Sequence, residues 1–413
     1  MSKKGVYLTI VGNVFKPNRQ KVLSLNQALY QYFRLVNNYI SINSTSKRFL
    51  HNSSYDYAKE HFRLNTALTQ TARDKAVEIL RSFNETKKEG SVLQLKRISI
   101  RFDRRCFQLS KTTNTLTPYW LTLSLSGGWG GRVSLPIVLG RRGKIIGRIF
   151  TGEFQLSTVE MVKRNGKWFA HFTITKQINL PDETETVIAI DRGERNLAVA
   201  VAVSKQNSFK PIKGLFWSGA DIKRIRGKYG HIRRNLQKKK LVKKVKSLQN
   251  KERRIVKQLL HQTVNSVIQY TKQFLKPIIV MEDLYGLRGR MNFSKRLNKR
   301  LHQVPFYKFQ RILEYKALLN YIPVKYLTKA QTKNTSKTCH RCDHISEVNG
   351  REYHCSSCNV IYDRDLNASI NIAHRITRSM GWGISKSEHP KPANEAAMQN
   401  HCLTLETAVF KWW

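Results

Sequence analysis

Residues 185–203 read ETVIAIDRGERNLAVAVAV. An apolar run ends in Asp191, a short Gly-containing turn follows, and a second run from Leu197 to Val203 is apolar throughout. Runs of this length predict two successive β-strands, the first ending in an acid. GLFWSG (214–219) predicts a third strand, PIIVMEDL (277–284) a fourth that also ends in acids, and PVKYLTK (323–329) a fifth. Residues 221–260 and VPFYKFQRILEYKALLNYI (304–322) carry helical apolar spacing between them. DRDLNASINIAHRI (363–376) predicts a helix entered at its acidic end. The order β-β-β-α-β-α-β, closed by an acid-led helix, is an α/β arrangement in which Asp191, Glu282 and Asp365 can converge if the first and fourth strands are neighbours.

The rest of the chain frames that reading. At roughly 150 residues per domain, 413 residues allow two or three domains. A hydrophobic fraction of 40% supports real cores and excludes a wholly disordered chain. Lys and Arg total 74 against 27 Asp and Glu, a balance of 74 − 27 = +47. Such a charge repels itself unless a polyanion neutralises it, so nucleic acid is the expected partner and an acidic small-molecule enzyme is excluded. No apolar run reaches the ~18 residues of a membrane span, and no membrane partner is expected. The opening MSKKGVYLTIVGNVF reads as a strand and not as a signal peptide. The expected location is therefore cytoplasmic and nucleoid-associated.

Four of the six cysteines, Cys339, Cys342, Cys355 and Cys358, form C-x2-C, twelve residues, then C-x2-C. Each pair sets two thiolates on one knuckle, and two knuckles make a closed tetrahedral site for structural zinc. Asn349-Gly350 is the expected hairpin turn between them. With four thiolates closing the site, His340, His344 and His354 are expected at the surface or facing nucleic acid. Cys106 and Cys402 remain unmatched.

Residues 1–180 read differently. RISIRF, WLTLSLSGGWGG, RVSLPIVLG, KIIGRIF and KWFAHFTITK, the last after Asn165-Gly166, predict short strands and a small β-barrel. Helical spacing from Leu23 to Phe83, with a break expected at Asn52 to Ser54, predicts a helical segment inserted into that β module.

The three acids carry the chemistry. Oxygen ligands suit hard cations, so Asp191, Glu282 and Asp365 are candidates to hold two magnesium or manganese ions for phosphodiester hydrolysis. Asp283 adjoins Glu282 and Asp363 precedes Asp365 by two, and periodicity leaves both pairs open. Residues 221–260 hold sixteen Lys/Arg against Asp221 and Glu252. That excess points to phosphate contact, with Lys238, Lys239, Lys240, Lys243, Lys244, Arg253 and Arg254 as candidate nucleic-acid-binding residues.

IDRGERNLAVA, IIVMEDLYGLR, TSKTCHRCD with CSSC, and YDRDLNASINI together resemble the signature blocks of the TnpB (OrfB) family of transposon-encoded RNA-guided DNA endonucleases, related to compact type V CRISPR effectors. The resemblance covers residues 160–375 well and residues 1–160 more loosely. It implies an RNase H-like (RuvC) nuclease at 181–334 and 361–378 with a zinc ribbon inserted at 335–360. It also implies a wedge β-barrel at 1–22 and 95–180 carrying a helical recognition insert at 23–94. A poorly ordered tail is expected at 379–413. The family pattern D-x-N-A selects Asp365 over Asp363. The implied activity is magnesium-dependent cleavage of DNA beside a short flanking motif, directed by a guide RNA, with double-stranded and single-stranded DNA as targets. A nuclease-inactive RNA-guided regulator and an RNase H-type transposase are the alternatives.

Overall fold

The structure is a computed structural model and describes residues 3–382, except 88, 127–130, 206–210, 285–293 and 349 and the side chains of 213, 249, 295, 296 and 299. Asn349 of the expected hairpin turn, Cys402 and nearly all of the expected tail lie outside the described residues. Contacts divide the chain into two units, Gly5–Gln177 and a second comprising Met1–Lys4 and Ile178–Trp413.

The first unit opens with β1 (Lys3–Val14), followed by the helices α1 (Arg19–Ser41), α2 (Lys47–His61) and α3 (Thr66–Thr86). Then come β2 (Ile100–Phe102), β3 (Phe107–Lys111), β4 (Tyr119–Ser124), β5 (Arg132–Val138), α4 (Gly143–Phe150), β6 (Gln155–Arg164) and β7 (Lys167–Asn179). The strands form a seven-stranded sheet in the order β2-β6-β7-β1-β5-β4-β3. Among the described residues β2 and β3 are its edges, so hydrogen bonding leaves the expected barrel open. Asn165 and Gly166 both have positive φ, 48° and 74°, and make the two-residue turn of the β6–β7 hairpin.

Two local expectations fail here. The break expected at Asn52 to Ser54 falls inside α2. Ser53 and Ser54 donate their hydroxyls back to the carbonyls of Phe49 and Leu50, at 2.9 and 3.2 Å, and stay helical. The real boundaries are set by caps: Ser46 accepts from the Phe49 amide and Asn65 from the Leu68 amide. KIIGRIF is helix α4 and not a strand. Ile145 and Ile149, and Ile146 and Phe150, stand four apart, which gathers the apolar side chains on one helical face, with Ile146 fully buried.

The second unit contains β8 (Thr186–Asp191), β9 (Asn196–Ser204), β10 (Pro211–Ser218), α5 (Ala220–Lys238) and α6 (Val242–Thr271). These are followed by β11 (Pro277–Glu282), α7 (Lys295–Gln303), α8 (Phe306–Leu319), β12 (Val324–Leu327), β13 (Glu352–His354), β14 (Ile361–Asp363) and α9 (Arg364–Ser379). The five-stranded sheet runs β10-β9-β8-β11-β12, with β9 antiparallel to both neighbours and β11 parallel to both of its own. Its first and fourth strands in chain order are adjacent, as the acid arrangement requires. Alternation divides the side chains between two cores. Val187, Ala189, Val199, Val201, Ile278 and Val280 pack against α9. Ile188, Ile190, Ala198, Ala200, Ile279 and Met281 pack against α5, α6 and α8. Among the described residues no helix is long and apolar enough to cross a membrane.

Helix α9 is buried along most of its length, and much of what it buries is polar. Asn367, Ser369 and Thr377 are wholly inaccessible and Asn371 nearly so. Asn371 donates to the carbonyls of Thr335 and Thr338 at 2.8 and 2.7 Å, and Asn367 donates to Thr338 at 2.8 Å. Ser369 donates to the Val199 carbonyl at 2.9 Å and accepts from the Asp191 amide at 3.3 Å. Replacing Asn371 by Ala leaves the buried Thr335 carbonyl without this donor. We expect a loss of about 2 kcal/mol, read as a lower midpoint in urea unfolding of the full chain; an unchanged midpoint would contradict this account.

Candidate active site and metal centre

Asp191 ends β8 and Glu282 ends β11, and the parallel register sets Ile190 beside Met281. The two acids therefore stand level on neighbouring strands, roughly 4.8 Å apart at the backbone. Counting by twos from Val187 and Ala189, and from Ile278 and Val280, puts both on the face covered by α9. Asp283 falls on the opposite face by the same count and is exposed.

The first turn of α9 brings the third carboxylate to that face. Asp363 is the N-cap, accepting from the amides of Asp365 and Leu366 at 2.9 and 3.1 Å. Asp365 lies one step inside and is only 8% exposed. Asn196 donates its side-chain amide to Asp365 Oδ2 at 2.9 Å, and the Arg351 guanidinium approaches the same oxygen at 3.5 Å. A Cβ at Gly193 would stand 3.2 Å from the Asn196 carbonyl and 3.8 Å from Asp365 Oδ2, so glycine keeps the turn close beneath the acid. Thr335 donates to Glu282 Oε1 at 3.4 Å.

The acids feel one another. Burial first, then the charges of Glu282 and Asp365, pushes the Asp191 carboxyl up to about 7. Burial also raises Glu282, partly offset by Arg192. Arg192 is itself buried on the opposite face, where it donates to Gln310 Oε1 at 2.9 Å and to the Glu282 carbonyl. It ties the turn after β8 to β11 and α8. Three oxygen donors whose charges oppose one another in a buried setting fit hard divalent cations, which would relieve that opposition.

Asn196, Arg351, Thr335 and Arg192 were not singled out from the sequence as site residues. Asn196 and Arg192 lie within the IDRGERN block. Thr335 opens the TSKTCHRCD block, whereas Arg351 lies in none of the quoted blocks; only the folding of the ribbon segment beside α9 brings the two to the acids.

The thiols of Cys339, Cys342, Cys355 and Cys358 all lie within 4.8 Å of one another, and among the described residues this is the group of candidate metal ligands so tightly gathered. The carboxylates are spread more widely. Cys339 and Cys358 stand 3.6 Å apart at sulfur, and Cys342 and Cys355 3.4 Å. Four thiolates at ~2.3 Å from one zinc ion would lie about 3.8 Å apart, so the cluster could hold structural zinc. Asp343 and Asn359, each just after its C-x2-C, take the left-handed conformation at φ 59° and 56° and turn the chain back. Burial pushes the Cys339 and Cys358 thiols up. At Cys355 burial acts the same way, but hydrogen bonds from the amides of Cys358 and Ser357 together with the neighbouring thiols bring it down to about 6, toward the thiolate a metal needs.

His344 and His354 are exposed as expected. His340 is not: it is 7% exposed, with Nδ1 3.0 Å from Asn367 Oδ1 and its ring 4.3 Å from that of Tyr362. It packs the first knuckle onto α9, a contact set by tertiary folding.

The basic run is two helices and not one. Lys240, at φ 54°, breaks it between α5 and α6. Lys238, Lys239, Lys240, Lys243, Lys244, Arg253 and Arg254 are all exposed. The structure does not bring them to the acids; they lie on α5, α6 and the turn between them, and these helices cover the other face of the sheet.

Comparison with known proteins fits this architecture. A Cas12f1-like TNB domain model matches residues 306–372, from α8 through the ribbon into α9. A structure of Cas12f1 in complex with sgRNA and target DNA superposes with a TM-score of 0.61 at 18% identity, covering 85% of this chain and 81% of that one. The fold is thus that of the compact type V effectors. A TnpB-like protein of Methanocaldococcus jannaschii is 31% identical over 205 residues, 48% of this chain and 71% of that protein. The chain belongs to the TnpB family. The CRISPR-associated endodeoxyribonuclease Cas12f2 of a Micrarchaeota archaeon is 25% identical over 235 residues, 53% of this chain and 42% of that one. The chain thus spans less than half the length of that relative.

Two outcomes are expected. Metal analysis should find zinc in the purified protein, and Cys339→Ser or Cys358→Ser should lose zinc and thermal stability together, because binding and ribbon folding are one equilibrium. Neutralising Lys238, Lys239 and Lys240 should weaken nucleic-acid binding on all sequences alike. It should also reduce the slope of log K against log salt by about one unit per lost phosphate contact on duplex DNA.

Proposed function

We propose that this protein is an RNA-guided, metal-dependent DNA endonuclease whose second unit is a RuvC-like nuclease of RNase H type. The reading rests on one observation: Asp191, Glu282 and Asp365, from three separated elements, stand on one face at one end of the five-stranded sheet in a chain of net charge +47. Asp191, Glu282 and Asp365 would hold magnesium or manganese. When bound, such ions supply Lewis acidity to the scissile phosphate and the attacking water. The chain's own residues prepare the site. Asn196 fixes one oxygen of Asp365, Thr335 orients Glu282, and Arg192 holds the two strand ends together from behind. Arg351 adds a positive charge at the edge of the cluster. In-line attack by water would leave a 5′-phosphate and a 3′-hydroxyl.

Guide dependence is the second part of the reading. A nuclease module has no means of choosing a sequence, whereas base pairing with a bound RNA supplies one and leaves the protein mainly backbone contacts. The Cas12f1 whose fold this chain shares is itself described in complex with sgRNA and target DNA. We read the first unit as the wedge and recognition half, which would hold the guide and read a short motif beside the target.

Plasmid cleavage with magnesium, with and without the copurified RNA, tests both parts. Asp191→Ala, Glu282→Ala and Asp365→Ala should each abolish cleavage, with nucleic-acid binding largely kept, while Asp363→Ala retains substantial activity. Reprogramming the RNA segment that pairs with DNA should redirect the cut. Equal cleavage by RNA-free protein would make this a general or end-specific nuclease. Binding without any cleavage by the intact protein would make it an RNA-guided regulator.

A further inference from the structure

Helices α5, α6 and α8, on the side of the sheet away from the acids, leave a groove of about 490 Å³ between them. That volume lies within the ~300–1,000 Å³ typical of ligand sites. Six cationic side chains line it with one acid, Glu252, which pairs with Arg233; Glu314, outside the lining, pairs with Arg311 at 3.2 Å. Arg253 and Lys257 stand one turn apart on α6, and Arg311 faces them from α8. Val256, Leu260 and Ile312 form an apolar floor. Tyr307 shares the face of Arg311 one turn earlier, and 55% of its surface is open to solvent.

We propose that this groove binds an unpaired stretch of nucleic acid, with one base laid on Tyr307 and the adjoining phosphates on Arg253, Lys257 and Arg311. Each feature narrows the ligand. Clustered cations with one acid among them call for several negative charges at short spacing. Phosphate alone would leave the exposed ring and the apolar floor unused. A duplex presents phosphates but keeps its base faces stacked inside, whereas a single strand offers both a phosphate track and an open base. The inference rests on the reading that the chain binds nucleic acid, and it does not depend on cleavage. RNA and DNA share this chemistry, so the test carries both.

The full-length protein, without magnesium, is mixed with short oligonucleotides carrying 5-iodouracil, one of RNA and one of DNA, and irradiated. Affinities are measured in parallel for the wild type, Tyr307→Ala, Tyr307→Phe and the double variant Arg253→Ala, Lys257→Ala. A crosslink mapped to Tyr307 with RNA, DNA or both supports the proposal and names the strand. Tyr307→Ala should weaken single-strand binding by roughly tenfold, with Tyr307→Phe close to wild type because the ring remains. The double variant should reduce the salt slope by about 1.4, at about 0.7 per phosphate on a single strand. No crosslink at Tyr307 with either oligonucleotide, or unchanged affinity in Tyr307→Ala, overturns the proposal. Cleavage plays no part in these readouts, so a chain that crosslinks at Tyr307 yet cuts no DNA would sink the nuclease reading alone.

Discussion

The side-chain amides of Asn367 and Asn371 join the ribbon segment to helix α9, which packs on the five-stranded sheet. One face of α9 covers Val187, Ala189 and Val201, and the other offers these two amides to the carbonyls of Thr335 and Thr338 and to His340. Buried amides are costly unless paired, so this arrangement is stable only when ribbon, helix and sheet are all in place. The same helix delivers Asp365 to the acids. Thr335, in the clamp, also donates to Glu282. The cysteine cluster and the three carboxylates are thus linked through one helix and a few hydrogen bonds.

That coupling matters because the site is electrostatically awkward. The chain is rich in positive charge, yet it gathers three carboxylates, and burial first, then the charges of Glu282 and Asp365, raises Asp191 well above the ordinary Asp range. Their positions are held by neutral donors as well as by charge: Asn196 on Asp365 and Thr335 on Glu282. Neutral donors orient an acid without cancelling the negative charge a cation would need. The sheet separates this cluster from the exposed basic side chains of α5, α6 and α8. Acids and α9 occupy one face, and the α5, α6 and α8 helices with their cationic groove occupy the other. One module can thus combine a centre suited to cations with a surface suited to polyanions.

Much of this was legible in the residues. The apolar runs gave the strands of the second unit in order, and the cysteine spacing gave the ribbon. Errors fell where local chemistry outweighed pattern. Asn52 to Ser54 looked like a break, but the serine hydroxyls return to the helix backbone. KIIGRIF looked like alternation, but its apolar side chains repeat at four along one face of helix α4, where Ile146 is buried. The basic run looked continuous, but Lys240 turns it into two packed helices. His340 looked like a surface residue because nothing local reveals that Asn367 waits for it.

By itself the sequence determined the strands of the second unit, the spacing of the four cysteines and the placing of acids at strand ends, because strand formation and cysteine knuckles depend on residues close in the chain. It left Glu282 against Asp283, and Asp363 against Asp365, open to everything except family resemblance. Tertiary structure sets the two members of each pair apart in position. Pairing of β11 with β8 assigns Glu282 to the α9 face and Asp283 to the other, since adjacent strand residues point opposite ways. The start of α9 spends Asp363 on capping two amides and turns Asp365 inward to Asn196. Neither outcome is written in local spacing, because each depends on which surface a distant segment covers.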